Sequence, residues 1–326
     1  MNIEQINQLF SKYDLKNFNK FKNYYTFESR NNNFKISNAL FEKMLNAASN
    51  VDEVIDIDTT NLTFGIEFEF VGSNLPNDVL NFNTLMFDLL DENYLFEKRY
   101  CHNSGSCWVL GKDGSIKFDS PDDSLFGYEL STPKLEFNSH NLSLLNTVLD
   151  YIKNELHGEV NKTCGTHIHI GFNGDKIYKI YRSNVETLLN IYCNMESTVF
   201  DPIVPTSRRR NKYCKSTSTA LYSKYRKLSA RYCKFNFDNE CRVFHVECRQ
   251  LEGTLDLTTI IYWLLFQSTI INDIITNIDD CTYLDKLSHS NTFDILFKYK
   301  FNNELIAFFI KRIIDFKSRT IQQLNG

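Results

Sequence analysis

Four short segments of this chain place groups able to hold metal or phosphate at every second position. FGIEFEF (residues 64–70) carries Glu67 and Glu69, and GYELS (127–131) carries Glu129. CGTHIHIGF (164–172) carries His167 and His169, and VFHVECRQL (243–251) carries His245, Glu247 and Arg249. Residues two apart on a strand share a face and lie roughly 6–7 Å from each other. That period sets Glu67 and Glu69 opposite Phe64, Ile66, Phe68 and Phe70, and His167 and His169 opposite Ile168, Ile170 and Phe172. It sets Glu247 and Arg249 opposite Phe244, Val246 and Cys248, and Glu129 opposite Tyr128 and Leu130. Carboxylates gathered on a half-buried face repel one another and lose hydration unless something positive neutralises them. Cations do this economically: carboxylates suit magnesium or manganese, and a neutral imidazole completes such a shell or donates to a phosphate oxygen. Metal-assisted phosphate chemistry is the expectation that follows.

Taken singly, each segment has an ordinary explanation. Two glutamates on a strand most often mark a solvent-facing edge. HxH is as readily structural or a zinc site, and Glu247 with Arg249 is as readily a same-face ion pair. Co-occurrence decides between the readings, because four strands of one chain each set competent groups opposite an apolar face. The stretch 207–234, SRRRNKYCKSTSTALYSKYRKLSARYCK, adds ten Lys or Arg and no acid. Arginine forks suit phosphate or carboxylate, so a triphosphate or an acidic substrate is a fitting partner. Most of its lysines read as a solvated face; Arg208 and Arg209, after Pro205 at the end of a helix, are the ones assigned to ligand. Asp113 in KDGSI reads first as a turn residue, and Cys164 as a buried thiol.

The elements that position these groups follow from periodicity. Alternating segments near 63–71, 126–131, 164–172 and 242–251 predict strands, and apolar spacing predicts helices over 78–90, 142–156, 185–200, 259–278 and 304–315. Strands and helices mix without regular βαβ spacing, so the class is α+β. Residues 1–60, with helix-like spacing at Ile6, Leu9, Phe10 and at Leu40, Phe41, Met44, Leu45, read as a helical amino-terminal extension. Residues 61–326 then form one catalytic body, with its core over 62–275 and helices over 276–326.

The 326 residues suffice for a large core, and a formal net charge of −4 disfavours general nucleic-acid binding. Nine cysteines at irregular spacings, without a CxxC pair, fit reduced thiols, and the first residues lack the apolar run of an export signal. A cytoplasmic enzyme is expected. The apolar run 260–278 is broken by Gln267, Asn272 and Asp273 and reads as a buried helix, with no membrane association.

In order, FGIEFEF (64–70), KDGSI (112–116), GYELSTP (127–133), CGTHIHIGF (164–172), SRRRNKYC (207–214) and VECRQLEGTLD (246–256) resemble the amidoligases of the carboxylate-amine ligase superfamily, relatives of glutamine synthetase and glutamate-cysteine ligase. The resemblance covers roughly residues 62–275. It implies a glutamine-synthetase-like fold, in which a curved, largely antiparallel sheet forms a funnel with helices outside. It implies that Glu67, Glu69, Glu129, His167 and Glu247 hold magnesium, or manganese in its place. It further implies that His169, Arg208, Arg209 and Arg249 hold the phosphates of ATP. Glu67, Glu129, Arg208 and Arg249 would then be the catalytic groups. The implied reaction is ATP-dependent amide formation between a carboxylate and an amine, carried by an amino acid, peptide, protein or polyamine, through an acyl phosphate. The absence of a GxxxxGK[ST] loop agrees with nucleotide binding by metals and side chains. Two other readings remain: a metal-dependent hydrolase using the HxH and carboxylate cluster, and a nucleotide or nucleic-acid binding module using the basic segment.

Overall fold

The structure is a computed structural model describing residues 1–30, 32–73, 96–97, 108–117, 125–209, 211–221, 231–237 and 245–324. The helix expected over 78–90, the start of the fourth strand at 242–244, and residues 210 and 222–230 of the basic segment lie outside this set. The chain divides into two compact units, one of residues 1–58, 191–206 and 279–326, the other of 59–190 and 207–278.

The amino-terminal segment corrects the expectation of a helical extension. Helices α1 (Ile3–Ser11) and α2 (Asn38–Ser49) lie where the apolar spacing predicted them, but between them runs an antiparallel sheet of β1 (Lys16–Lys20), β2 (Tyr24–Ser29) and β3 (Asn32–Ser37). The strand signal is a short one. In β2 every second residue, Tyr25, Phe27 and Ser29, is buried, while β1 buries only Phe18 among four polar residues. Left-handed Asp14 and Arg30, with φ of 54° and 47°, turn the chain before β1 and between β2 and β3, and left-handed Asn17 (57°) sits at the irregularity in the β1–β2 register. Phe18 stacks between Phe10 and Phe27, with ring centroids 5.0 and 4.9 Å away, which ties α1 to the sheet. The same unit holds helices Cys281–Ser288, Thr292–Lys298 and Asn303–Leu324.

In the second unit the period-two pattern becomes an eight-stranded sheet. Its strands are β4 (Leu62–Ser73), β5 (Phe96–Glu97), β6 (Trp108–Lys112), β7 (Leu125–Ser131), β8 (Leu135–Glu136), β9 (Gly165–Phe172), β10 (Phe235–Asn236) and β11 (Val246–Glu252). Their order is β10-β11-β9-β4-β7-β6-β5, with β8 also on β4, and all pairs are antiparallel except β5 with β6. One face is apolar: Phe64, Ile66, Phe68, Phe70, Leu130, Ile168, Ile170, Val246 and Cys248 are all buried. Helix α3 (Ser139–Asn154) contributes Leu144, Leu145, Val148, Leu149 and Ile152 to the core. Helix α4 (Asp175–Met195) is broken at Asn184 (φ −127°, ψ 20°), so the helix predicted from Val185 begins just after the break, and a π-helical turn over Glu196–Phe200 continues it. The short helices α5 (Thr206–Arg209) and α6 (Ser218–Leu221) follow.

Helix α7 (Leu257–Thr276) is the apolar run. By length and composition alone it would cross a bilayer, yet it contacts β9 and α3 and buries Ile260, Trp263, Leu264, Phe266, Ile270 and Ile274. Its start explains the order of the last motif. Asp256 caps the helix by accepting from the Thr259 amide at 2.9 Å, and Thr254 N donates to Thr166 Oγ1 at 3.0 Å. Gly253 N donates to Cys164 O at 3.0 Å, and a Cβ at residue 253 would stand 2.5 Å from Cys164 Cβ. Glycine at 253 therefore lets the end of β11 lie directly on the start of β9.

Candidate active site

Register turns four separate motifs into one surface. Across β4 and β9, Glu67 is paired with His167 and Gly65 with His169; across β9 and β11, His169 is paired with Glu247; across β4 and β7, Glu69 is paired with Glu129. The side chains opposite the buried face therefore meet over β11, β9, β4 and β7.

Glu67 lies at the centre. Its Oε2 is 2.7 Å from His167 Nδ1 and its Oε1 is 3.2 Å from His169 Nε2, while His167 Nε2 lies 3.4 Å from Glu69 Oε1. Glu69 Oε2 accepts from Gly165 N at 2.6 Å. Glu247 is paired with Arg249 Nη1, and its other oxygen accepts from Asn236 Nδ2 at 3.0 Å. Arg249 Nε donates to Tyr213 O at 3.3 Å, and the ring of His245 lies 5.2 Å from that of His169. Asp113 closes the far side. Its carboxylate accepts from Ser115 N at 2.7 Å and from Ser115 Oγ at 3.0 Å, so the turn reading holds; the same carboxylate nevertheless belongs to the acidic cluster.

Among the described residues, three groups of side chains bring one candidate ligand atom each within 4.8 Å of the others: Glu67, His169 and Glu247; Glu67, Glu129 and His167; Glu69, Asp113 and Glu129. Electrostatics show what the cluster lacks. Burial works against ionisation of Glu67, but hydrogen bonds and charge from His167 and His169 outweigh it and hold its carboxyl well below the usual range. Burial likewise opposes the charge of Glu247, and Arg249 and His169 lower it overall. Glu129 has only Arg249 to lower it, and that is outweighed. Burial first, then Glu67, Glu69 and Asp113, push it up to about 8 against an ordinary 4.5. Burial lowers His169 and Glu67 more than reverses this, so its imidazole is raised. Among the described residues, the five acids thus face the Arg249 guanidinium and the imidazoles of His167 and His169, a donor set of hard oxygens and nitrogens that fits a divalent cation such as magnesium or manganese.

A pH dependence follows with a definite sign. Glu129 is ionised in the unfolded chain above 4.5 but protonated in the folded one up to about 8. Its contribution to stability is fully present below 4.5 and is lost as pH rises through 8. His169, raised above 6.5, loses its contribution in the same direction as pH passes its folded value. Metal-free protein should therefore lose a few kcal/mol of stability between pH 5 and about 8, read by urea denaturation in EDTA. Manganese added at pH 7 should release protons to an indicator dye and restore that stability. Stability that stays flat in EDTA, with no proton release, would remove Glu129 from the cluster.

The structure brings together Glu67, Glu69, Glu129, His167, His169, Glu247 and Arg249. Arg208, assigned to nucleotide from the sequence, is 3 % exposed; its Nη2 donates to Arg249 O, and its guanidinium packs on Gly165. Arg209 is half-buried in α5. Cys164 is buried and burial pushes its thiol up, as an inert thiol requires. Asn236 was not visible in the sequence because a two-residue strand carries no period.

Residues 60–271, well over half of the chain, match the family model described as "Putative amidoligase enzyme". Comparison with curated proteins finds no match.

Proposed function

Because this chain belongs to that amidoligase family, we propose that it is an ATP- and magnesium-dependent ligase joining a carboxylate to an amine through an acyl phosphate. The observation carrying this reading is the convergence of five acids, two histidines and Arg249 on one sheet face. On this reading the sheet is the counterpart of the funnel in glutamine-synthetase-like enzymes, and the enzyme works in the cytoplasm.

Glu67, Glu69, Glu129, His167 and Glu247, joined by Asp113, would hold magnesium, which when bound neutralises phosphoryl oxygens and so eases attack on phosphorus. His169 and Arg249 offer donors to phosphate from the same face, and Arg209 is the further cation this reading assigns to nucleotide. The chain's groups orient the carboxylate so that its oxygen attacks the γ-phosphorus and ADP leaves. The amine nitrogen then attacks the acyl carbon, phosphate departs, and a carboxylate of the cluster receives the amine proton.

The test is a matrix of carboxylates (amino acids, peptides, protein tails) against amines (ammonium, amino acids, polyamines), with ATP and magnesium. Release of ADP and phosphate that requires both substrates is the expected result. Cleavage of an amide or phosphoester without ATP would overturn it in favour of a metal-dependent hydrolase.

A further inference from the structure

We infer that Arg208 is a positioning residue that sets the aim of Arg249 by holding its backbone. The inference rests on the nucleotide reading only where Arg249 is taken to touch phosphate.

The reason lies in how β11 is tied down at Arg249. Toward β9, Cys248 is paired with Ile168 and Leu251 with Thr166, so Arg249 and Gln250 together oppose the single residue His167. This is a β-bulge, and the ladder on that side does not fix the direction of either residue. Toward β10, Arg249 N donates to Lys234 O at 2.8 Å. The returning bond, from Lys234 N to Arg249 O, is not made, because Lys234 N donates to Lys215 O at 2.8 Å. The Arg249 carbonyl is thus left without its ladder partner at the point where the strand is least constrained.

Arg208 fills that gap. Its Nη2 donates to Arg249 O, and Cys214 Sγ lies 3.1 Å from Arg208 O and 3.5 Å from Arg249 O. The Arg249 side chain is held from the same segment, with Nε donating to Tyr213 O at 3.3 Å. Arg208, Tyr213 and Cys214 therefore grip Arg249 by both backbone and side chain. The seat of the Arg208 guanidinium is made by Gly165, where a Cβ would stand 2.6 Å from Nη2 and 3.0 Å from Cζ. A side chain 3 % exposed and committed to a carbonyl is placed to orient a neighbour, whereas a phosphate ligand must present its fork to the ligand.

The grip can be broken in two ways. Arg208→Met removes the donor; Gly165→Ala keeps every charge and displaces the guanidinium. Two readouts apply: MgATP affinity by calorimetry, and the Nε–H resonance of Arg249 in ¹⁵N-labelled protein. Both variants should weaken MgATP by about the factor seen for Arg249→Met, on the order of 10- to 100-fold. Combining either with Arg249→Met should weaken it no further, since one function is lost once. The Arg249 resonance should shift or exchange away in both. Losses that multiply in the double variant, or an unmoved resonance, would overturn the inference and return Arg208 to an independent role. Should Arg208→Met fail to fold, Arg208→Lys, which keeps the charge without the fork, takes its place; affinity and resonance like those of the parent would overturn the inference. If Arg249→Met leaves MgATP affinity unchanged, the nucleotide reading fails, and the resonance alone decides the positioning role.

Discussion

Replacing Glu67 by Gln is expected to lower ligase turnover by about 10³-fold or more while leaving the fold in place. Glu67 is the acid on which both imidazoles close, at 2.7 and 3.2 Å, and it belongs to two of the three candidate cation groups. Glutamine keeps the shape and one acceptor but cannot supply the charge. Two consequences should appear together. Manganese affinity, followed by electron paramagnetic resonance, should fall at least about 10-fold. The His169 imidazole, now held up partly by Glu67, should titrate lower. Unchanged manganese affinity with full turnover would move the metal centre away from Glu67.

The second large effect concerns stability. Glu247 and Arg249 form an ion pair whose side chains are 8 % and 12 % exposed. Removing one member of so buried a pair strands the other, and Arg249→Met should lower the unfolding free energy by about 3–5 kcal/mol in EDTA. The double replacement Glu247→Gln, Arg249→Met should recover most of that loss. Magnesium should recover part of it in the single variant, because Glu247 is also a candidate ligand with Glu67 and His169. A loss under about 1 kcal/mol, insensitive to magnesium, would mean that solvent already satisfies the glutamate.

Much of the α+β fold and the polar face could be read from period two, because Phe64, Ile66, Phe68 and Phe70 leave Glu67 and Glu69 no other side. Alternation gives a face but not a neighbour. That Glu67 meets His167, and Glu69 meets Glu129, depends on register between segments about 60 to 100 residues apart, which nothing local encodes. The parity break at β11 was present in the sequence: Val246 and Cys248 are followed on the apolar face by Leu251 rather than by Gln250. Asp113 was concealed by its own turn chemistry, since an Asx turn and a cation ligand ask for the same residue. The small amino-terminal sheet was concealed because β1 spends one buried residue, Phe18, among four polar ones.

The extra residue in β11 also bears on which insertions and deletions this chain can accept. Between Cys248 and Leu251 the strand is one residue longer than the stretch of β9 it faces. Removing Gln250 would yield a smoother ladder with all its apolar residues retained. Cys248, Arg249 and Leu251 would then face Ile168, His167 and Thr166 in plain alternation, and the irregularity that gives Arg249 its direction would be gone. Length at this point is thus as much a part of the centre as any side chain, and homologues free to vary Gln250 in kind should not be free to omit it.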